Sequence, residues 1–88
     1  MTEMFKLEND VLLVELPQGK TQPELVSAAK AEIKVLVKSG ALFGKELKLN
    51  GRLTTGMALL LGHELAHVCK NVSIFDPKEN SYVLCIAH

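Results

Sequence analysis

The chain has 88 residues, of which 48% are hydrophobic and 23% charged, and its ten Lys and Arg balance ten Asp and Glu. This length and composition indicate one folded domain over residues 1–88 and argue against a disordered or membrane-embedded chain. A net charge of zero disfavours a general DNA- or RNA-binding surface, which carries a basic excess, but allows a specific nucleotide ligand. A chain this short buries only about 60% of its unfolded surface. A site shared between subunits is therefore favoured over an enclosed pocket.

The start of the chain and its purest apolar run predict a cytoplasmic protein. Residues 1–4 lack the basic region and apolar stretch of a signal peptide, and residues 57–61 are far fewer than the roughly 20 that span a bilayer. The two cysteines, Cys69 and Cys85, are too few for a disulfide framework or a four-thiolate zinc site. We expect both to be buried, reduced thiols.

The first half of the chain predicts a hairpin followed by a helix. Residues 5–8 alternate in polarity, residues 9–10 are the turn signal Asn-Asp, and residues 11–14 are apolar, as in a β-hairpin. Residues 21–24, Thr-Gln-Pro-Glu, have the form of a capping box. Apolar residues then recur at helical spacing until residues 39–40, Ser-Gly, which close the helix.

A short strand and a second helix are predicted next. The strand covers residues 47–49 and runs into a turn at residues 50–52, Asn-Gly-Arg. The helix is capped by Thr54 or Thr55 and continues to about residues 70–71. Its side chains are apolar nearly all round, so we expect it to be the buried helix of the two.

Two further strands, over residues 72–75 and 82–86, are separated by a polar turn that begins at Asp76-Pro77. The predicted order is thus β-β-α-β-α-β-β. Strands that alternate with single helices indicate right-handed crossovers. The sequence therefore predicts an α/β fold with a largely parallel central sheet and a hairpin at each end of the chain.

The string His63-Glu64-Leu65-Ala66-His67 carries the most conspicuous chemistry. Two histidines one turn apart, with Glu after the first, form the zinc metallopeptidase pattern, in which the imidazoles bind zinc and the Glu activates water. A peptidase also needs a third ligand and a cleft for an extended peptide, and this chain offers little room for either. Two histidines on an otherwise packed helix are the alternative.

A second group of residues is expected where the strands end. In open α/β sheets, ligands bind outside the carboxyl ends of the strands, near the amino ends of helices. Asn50-Gly51-Arg52 and Asp76-Pro77-Lys78 each follow a strand, and Thr54 and Thr55 open the second helix. A Gly that allows close approach, an Arg fork and helix amides suit a phosphodiester. Asn-Gly and Asp-Pro are, however, also ordinary turn dipeptides.

The element order separates two sets of residues. The second helix runs back along the sheet and carries His67 roughly 20 Å from the helix start. The last strand returns His88 to that same far edge, whereas Arg52 and Asp76 belong to the opposite edge. One copy of the chain cannot easily bring all four residues to one ligand.

Four features of residues 49–88 occur in a fixed order in one known family. They are Leu49-Asn50-Gly51-Arg52, the helix with His63 and His67, Ile74-Phe75-Asp76-Pro77, and the terminal His88. In this order and spacing, the chain resembles the ring nuclease 3 family of type III CRISPR systems.

The resemblance implies a fold, an activity and a cofactor. Members of the family have a CRISPR-associated Rossmann-like fold, bind the second messenger cyclic tetra-adenylate and cleave it with Mn²⁺ to linear oligoadenylates, which switches off antiviral signalling. They form dimers, and two dimers enclose one cyclic ligand, so the resemblance also implies self-association of this chain as a dimer and a tetramer. Such an assembly agrees with the separation of the two edges.

The resemblance also assigns roles to residues. Asn50, Gly51 and Arg52 match the recognition loop, and Thr54 and Thr55 at the helix start complete the expected ligand-binding set. The expected catalytic set is His67, Asp76, Lys78 and His88, and the expected metal set is His63, His67 and His88. Lys78 stands where the family favours Arg, so it keeps the charge but not the bidentate geometry toward phosphate.

In the expected mechanism, His67 and His88 would hold Mn²⁺, with waters completing its shell, and the metal would polarise a phosphate oxygen and acidify an attacking water or ribose 2′-hydroxyl. Lys78 offsets charge on the phosphate, while Asp76 either orients Lys78 or accepts a proton. Two other functions stay open. One is a module that binds a cyclic oligoadenylate or an RNA tail without cutting it, and the other is the zinc peptidase.

Overall fold

A computed structural model describes residues 4–87. Within them lie five strands and two helices in the predicted order: β1 Phe5–Glu8, β2 Val11–Val14, α1 Gln22–Ser39, β3 Glu46–Gly51, α2 Thr55–Ala66, β4 Asn71–Asp76 and β5 Ser81–Ala87. The α/β class is thus confirmed. Neither helix in this part of the chain combines the length and the apolar character that crossing a bilayer requires.

The strands form one mixed sheet in which they stand side by side in chain order, from β1 to β5. β2, β3 and β4 are parallel, as predicted for the centre of the sheet, while β1 and β5 each pair antiparallel with their neighbour. This sheet differs from a doubly wound Rossmann sheet, in which the strand order reverses at one point and opens a crevice there. The straight order of this sheet provides no such crevice.

The pairing of β4 with β5 contains one irregularity. Val72 pairs with Ile86, but the next residue, Ser73, pairs with Leu84, so Cys85 has no partner of its own across the ladder. This is the arrangement of a β-bulge, in which two residues of one strand oppose one residue of the other.

Both helices lie on the same face of the sheet. They contact each other, with Gln22 and Val26 of α1 beside Gly56 of α2, and both contribute to a single core with the inward side chains of the strands. Neighbouring parallel strands in chain order explain this, because successive right-handed crossovers place their helices on the same side.

The core lies between this helix layer and the sheet. Leu12 and Leu47 from the strands, Ile33 from α1, and Met57 and Leu61 from α2 are fully buried. Each such side chain contributes about 1.5–3 kcal/mol by leaving water.

The other face of the sheet, which we call the open face, is not covered by any element of residues 4–87. Its side chains alternate along the strands with the core side chains. None of its hydrophobic residues belongs to the core cluster. The open face consists of Val11, Leu13, Lys48, Asn50, Ser73, Phe75, Tyr82 and Leu84, together with charged side chains toward β1 and the start of β3.

The capping box predicted for α1 is present. The Thr21 hydroxyl accepts a hydrogen bond from the Glu24 backbone N–H, and the Glu24 carboxylate accepts one from the Thr21 backbone N–H at 3.0 Å. The helix ends at Ser39 and is capped by Gly40, whose left-handed φ of 81° suits a residue without a side chain. Its buried residues recur every four positions, at Leu25, Ala29 and Ile33.

This capping box makes stability depend on pH. Hydrogen bonds from the Thr21 backbone N–H and then its hydroxyl lower the pKa of Glu24 in the folded chain. A lowered native pKa stabilises the fold above the unfolded value, about 4.3 for Glu, and this contribution is lost as the pH falls through the lowered value. The free energy of unfolding of Glu24→Gln, measured in urea, should therefore fall less between pH 7 and pH 3 than that of the wild type. Glu79→Gln, at an exposed position, is the control; an equal effect of both variants would remove the capping box as the cause.

The second helix is shorter than predicted. Thr54 is its N-cap, accepting a hydrogen bond from the Met57 N–H at 3.2 Å, but the helix ends at Ala66, about one turn before residues 70–71. The chain leaves the helix because its backbone bonds to the loop before β3: Gly44 donates to the Val68 carbonyl and Lys70 donates to the Lys45 carbonyl, both at 2.8 Å.

The predicted burial of α2 holds for only one face of the helix. Met57, Leu61 and Leu65 are buried on one face, whereas Leu59 is 79% exposed on the other. The sheet and α1 cover only one side of α2, because residues 4–87 form two layers and none of them packs outside the helices.

The two cysteines differ in exposure, so the prediction that both are buried holds for only one. Both are free; Cys69 is buried and Cys85 is exposed, and burial raises the pKa of the Cys69 thiol.

In the folded protein, a thiol-reactive chromophore should label Cys85 quickly and Cys69 only after denaturation, because the labelling reaction needs a thiolate that the reagent can reach. Cys85→Ser should abolish the fast phase. Two fast thiols in the wild type would contradict the burial of Cys69.

Candidate functional site

The parallel strands end together at one edge of the sheet, which we call the carboxyl-end edge. β2, β3 and β4 end there at Val14, Gly51 and Asp76. The amino ends of both helices lie at the same edge and are joined, because the Thr54 hydroxyl donates to the Gln22 side-chain oxygen at 2.8 Å. Helix amino ends carry partial positive charge. This edge therefore has the electrostatic character that an anionic ligand prefers.

The predicted turn at residues 50–52 begins later than expected. Asn50 and Gly51 are the last residues of β3 and pair with Leu13 and Val14 of β2. Gly51 has a φ of 119°, and a Cβ at this position would collide with the Val14 carbonyl oxygen. Pairing with β2 thus extends the strand to its last residue, and close approach of the two backbones requires glycine there.

Two cations extend from this edge into solvent. Arg52 follows β3 and Lys78 follows β4, and both are exposed. Within residues 4–87, the ion pairs are formed by other lysines, so neither cation has a carboxylate partner. The Lys78 backbone N–H donates to the Asp76 carboxylate at 2.9 Å, which fixes the start of the turn. Arg52, Lys78 and Asp76 therefore lie at one edge, with both cations available to a phosphate.

The two threonines predicted to bind ligand are in different situations. The Thr54 hydroxyl both accepts from Met57 and donates to Gln22, so it already serves the fold. Thr55 is exposed in the first residue of α2. Of the two hydroxyls, that of Thr55 is the one free to meet a ligand.

The histidines lie at the opposite edge of the sheet, which we call the far edge. His63 and His67 are exposed near the end of α2, with ring centroids 4.9 Å apart and ring planes at 87°. Over its 12 residues the helix rises by about 18 Å. Ala87 pairs with Asn71 at the beginning of β4, so β5 also ends at the far edge. The predicted site residue His88 lies outside the described residues.

The histidine pair supplies two imidazole donors. Among the described residues, no group of three or more His, Cys, Asp and Glu side chains is placed to hold a metal ion. A metal bound by His63 and His67 would thus need further ligands from His88, from another copy or from water. The third protein ligand that a zinc peptidase requires is likewise missing from residues 4–87.

Asn50 belongs to a cluster of side chains that was not predicted from the sequence. Its side-chain N–H donates to the Tyr82 hydroxyl at 3.1 Å on the open face. The Tyr82 ring packs against Phe75, with centroids 5.4 Å apart, and the Lys48 ammonium lies 5.6 Å from the Tyr82 centroid. We call Lys48, Asn50, Phe75 and Tyr82 the aromatic cluster. Strand alternation of residues 71–76 and 81–87, combined with the register of their hairpin, is the signal that could have found it.

The structure therefore brings the predicted residues together in two separate sets, one at each edge. Comparison of the chain with models of protein families, with curated proteins and with solved structures finds no match. The proposal below rests on the chemistry and placement of these side chains and on the resemblance carried by residues 49–88.

Proposed function

We propose that this chain is a metal-dependent ring nuclease that binds cyclic tetra-adenylate and cleaves it to linear oligoadenylates, as the CRISPR ring nuclease 3 family does. The observation that carries the proposal is the placement of its two sets at opposite edges. Arg52, Asp76 and Lys78 lie at the carboxyl-end edge, and the pair His63 and His67 lies at the far edge. A site made from the carboxyl-end edge of one copy and the far edge of another brings both sets to one ligand.

The carboxyl-end edge supplies the groups for phosphate binding. Arg52 presents up to five N–H donors in a planar fork and Lys78 a compact charge, and both are exposed. The amino end of α2 adds backbone N–H donors and a favourable dipole. The ligand carries four phosphates. Arg52 and Lys78 from several copies would together offset this negative charge locally, even though each chain has a net charge of zero.

The far edge supplies the donors for Mn²⁺. His63 and His67, with His88, are the residues that would hold it, and oxygen ligands such as water, which Mn²⁺ prefers, would complete its shell. Bound there, the metal would polarise a phosphate oxygen and increase the acidity of the attacking hydroxyl. Exposure of both imidazoles suits a site completed by a second copy.

Asp76 and Lys78 act on the reacting phosphate. Lys78 offsets the negative charge that builds up on the phosphate oxygens, which is the purpose of a preorganised cation. One carboxylate oxygen of Asp76 already accepts the Lys78 backbone N–H. This bond supports a role in orienting Lys78, and the second carboxylate oxygen is available to accept a proton.

Incubation with cyclic tetra-adenylate over a Mn²⁺ titration, followed by chromatography, tests the activity. We expect linear oligoadenylates from the wild type and from Glu64→Gln, and an intact cyclic ligand from His67→Ala, because only the last change removes a metal donor. An intact ligand with the wild type at every metal concentration would leave a binding module instead. Loss of cleavage in Glu64→Gln would refute our assignment of roles, since Glu64 is the catalytic base only in the peptidase pattern.

A further inference from the structure

The aromatic cluster lies where a flat ligand could reach it. Phe75 and Tyr82 are directly paired residues of β4 and β5, both half-buried on the open face, with no element above them among residues 4–87. Aromatic side chains on an uncovered sheet are a platform on which bases stack, as in several families that bind single strands. The fold has no need of this cluster for its core, because neither side chain belongs to the core.

The Asn50 amide gives the platform hydrogen-bonding groups of defined direction. The bond to the Tyr82 hydroxyl uses one N–H of the amide. A primary amide has a second N–H and a carbonyl oxygen, and these two groups match the N7 acceptor and N6 amino donor of adenine. The Tyr82 hydroxyl thus orients Asn50 and leaves one donor and one acceptor of the amide unused, a pair that can meet the N7 and N6 groups of adenine.

The cluster is continuous with the carboxyl-end edge. Asn50 directly precedes Gly51 and Arg52, and Phe75 directly precedes Asp76. Successive residues of a strand are about 3.3 Å apart, so a base on the open face would have its phosphate within reach of Arg52 and Asp76-Lys78. Lys48, which lies against the Tyr82 ring, adds a cation between base and phosphate.

We propose that the aromatic cluster is a base-binding site for one adenine of the oligoadenylate ligand, with the base stacked on Tyr82 and read by Asn50. This inference rests on the proposed function, because it names the base contact of the same ligand. A second copy packed over the open face is the competing occupant. It would bury Lys48 and Asn50 of the central strand β3, and lysine is depleted from the cores of protein interfaces.

Tyr82 itself is the probe for the test, since it is the chain's single tyrosine and the chain has no tryptophan. Protein labelled at tyrosine should give one set of tyrosine ring NMR signals, recorded without metal so that the ligand stays intact. Saturating cyclic tetra-adenylate should move these signals upfield through the ring current of a stacked base. Cyclic tetra-uridylate, with smaller bases and no adenine edge, should move them much less.

Variants measure the contribution of the platform to affinity. Tyr82→Leu should weaken binding of cyclic tetra-adenylate roughly 5- to 150-fold, the range found for loss of one base–aromatic stack. Tyr82→Phe keeps the ring but removes the hydroxyl that orients Asn50, so it should lose less affinity than Tyr82→Leu. Phe43→Leu is the matched control, because Phe43 is 78% exposed and lies outside the open face. Its affinity should equal that of the wild type.

The outcomes separate this inference from the proposed function. If cyclic tetra-adenylate is bound or cleaved while the Tyr82 signals stay in place, the base-binding site is refuted and the nuclease stands. If the wild type neither binds nor cleaves it, the nuclease fails, and the base-binding site then survives only if millimolar adenosine monophosphate still shifts Tyr82. Tyrosine signals that change with protein concentration before any ligand is added would assign the open face to a second copy and overturn the inference.

Discussion

The Arg52→Ala and His67→Ala proteins should each cleave cyclic tetra-adenylate about 100-fold or more slowly than the wild type. An equal mixture of the two should recover part of the lost activity. Arg52 lies at the carboxyl-end edge and His67 at the far edge. If the site takes one edge from each of two copies, random assembly of the mixture gives about one site in four with both residues intact. The initial rate of cleavage, measured over a series of mixing ratios at constant total protein, gives the result.

A mixture of two variants from the same edge is the control for this experiment. His63→Ala and His67→Ala both change the far edge, so no site assembled from them has a complete histidine pair, and no recovery is expected. If cleavage activity also recovered in this control, mixing would be raising activity by some means other than a site with all its residues intact. No recovery with Arg52→Ala and His67→Ala, when circular dichroism shows both to be folded, would contradict a site divided between copies.

Gly51→Ala should lower the free energy of unfolding by about 3 kcal/mol, as the sum of backbone strain and overpacking. The backbone φ of 119° is unfavourable for alanine, and the added Cβ would collide with the carbonyl and approach the nitrogen of Val14. Since small domains are stable by only about 5–15 kcal/mol, this is a large fraction of the total. Urea denaturation of the two proteins measures the difference.

Gly19→Ala separates the two causes of this loss. Gly19 also has a positive φ, of 76°, but no atom lies within 4 Å of a Cβ built there. We expect this variant to lose only about 1–2 kcal/mol, the cost of the left-handed conformation. Equal losses in the two variants would show that β2 moves away from β3 at little cost, and that the close approach at Gly51 is not essential.

Structural features that depend only on residues close together in the chain could be predicted from the sequence. The hairpin at residues 5–14 and the capping box of α1 depend on neighbours in the chain, and both are present as predicted. The parallel centre of the sheet was also predictable, because single helices between strands impose it.

Structural features that depend on contacts between distant parts of the chain could not be predicted from the sequence. The end of α2 at Ala66 is set by hydrogen bonds from the loop at Gly44 and Lys45, more than 20 residues away. The one-sided burial of α2 follows from the number of layers rather than from its own apolar residues. For the candidate site, motifs placed Arg52, Asp76 and the histidines on their edges, whereas the aromatic cluster required the register between β3, β4 and β5.

The bulge at Cys85 has a consequence for the exposed edge of the sheet at β5. β5 is an edge strand of seven residues, and it exposes Val83 and Leu84. A long, regular, apolar edge is a template onto which another strand adds, and from there sheets can grow without limit. Because the bulge breaks the repeat of backbone donors and acceptors in the middle of β5, a neighbouring chain cannot match the whole strand. Uncontrolled edge-to-edge growth of the sheet is thereby discouraged.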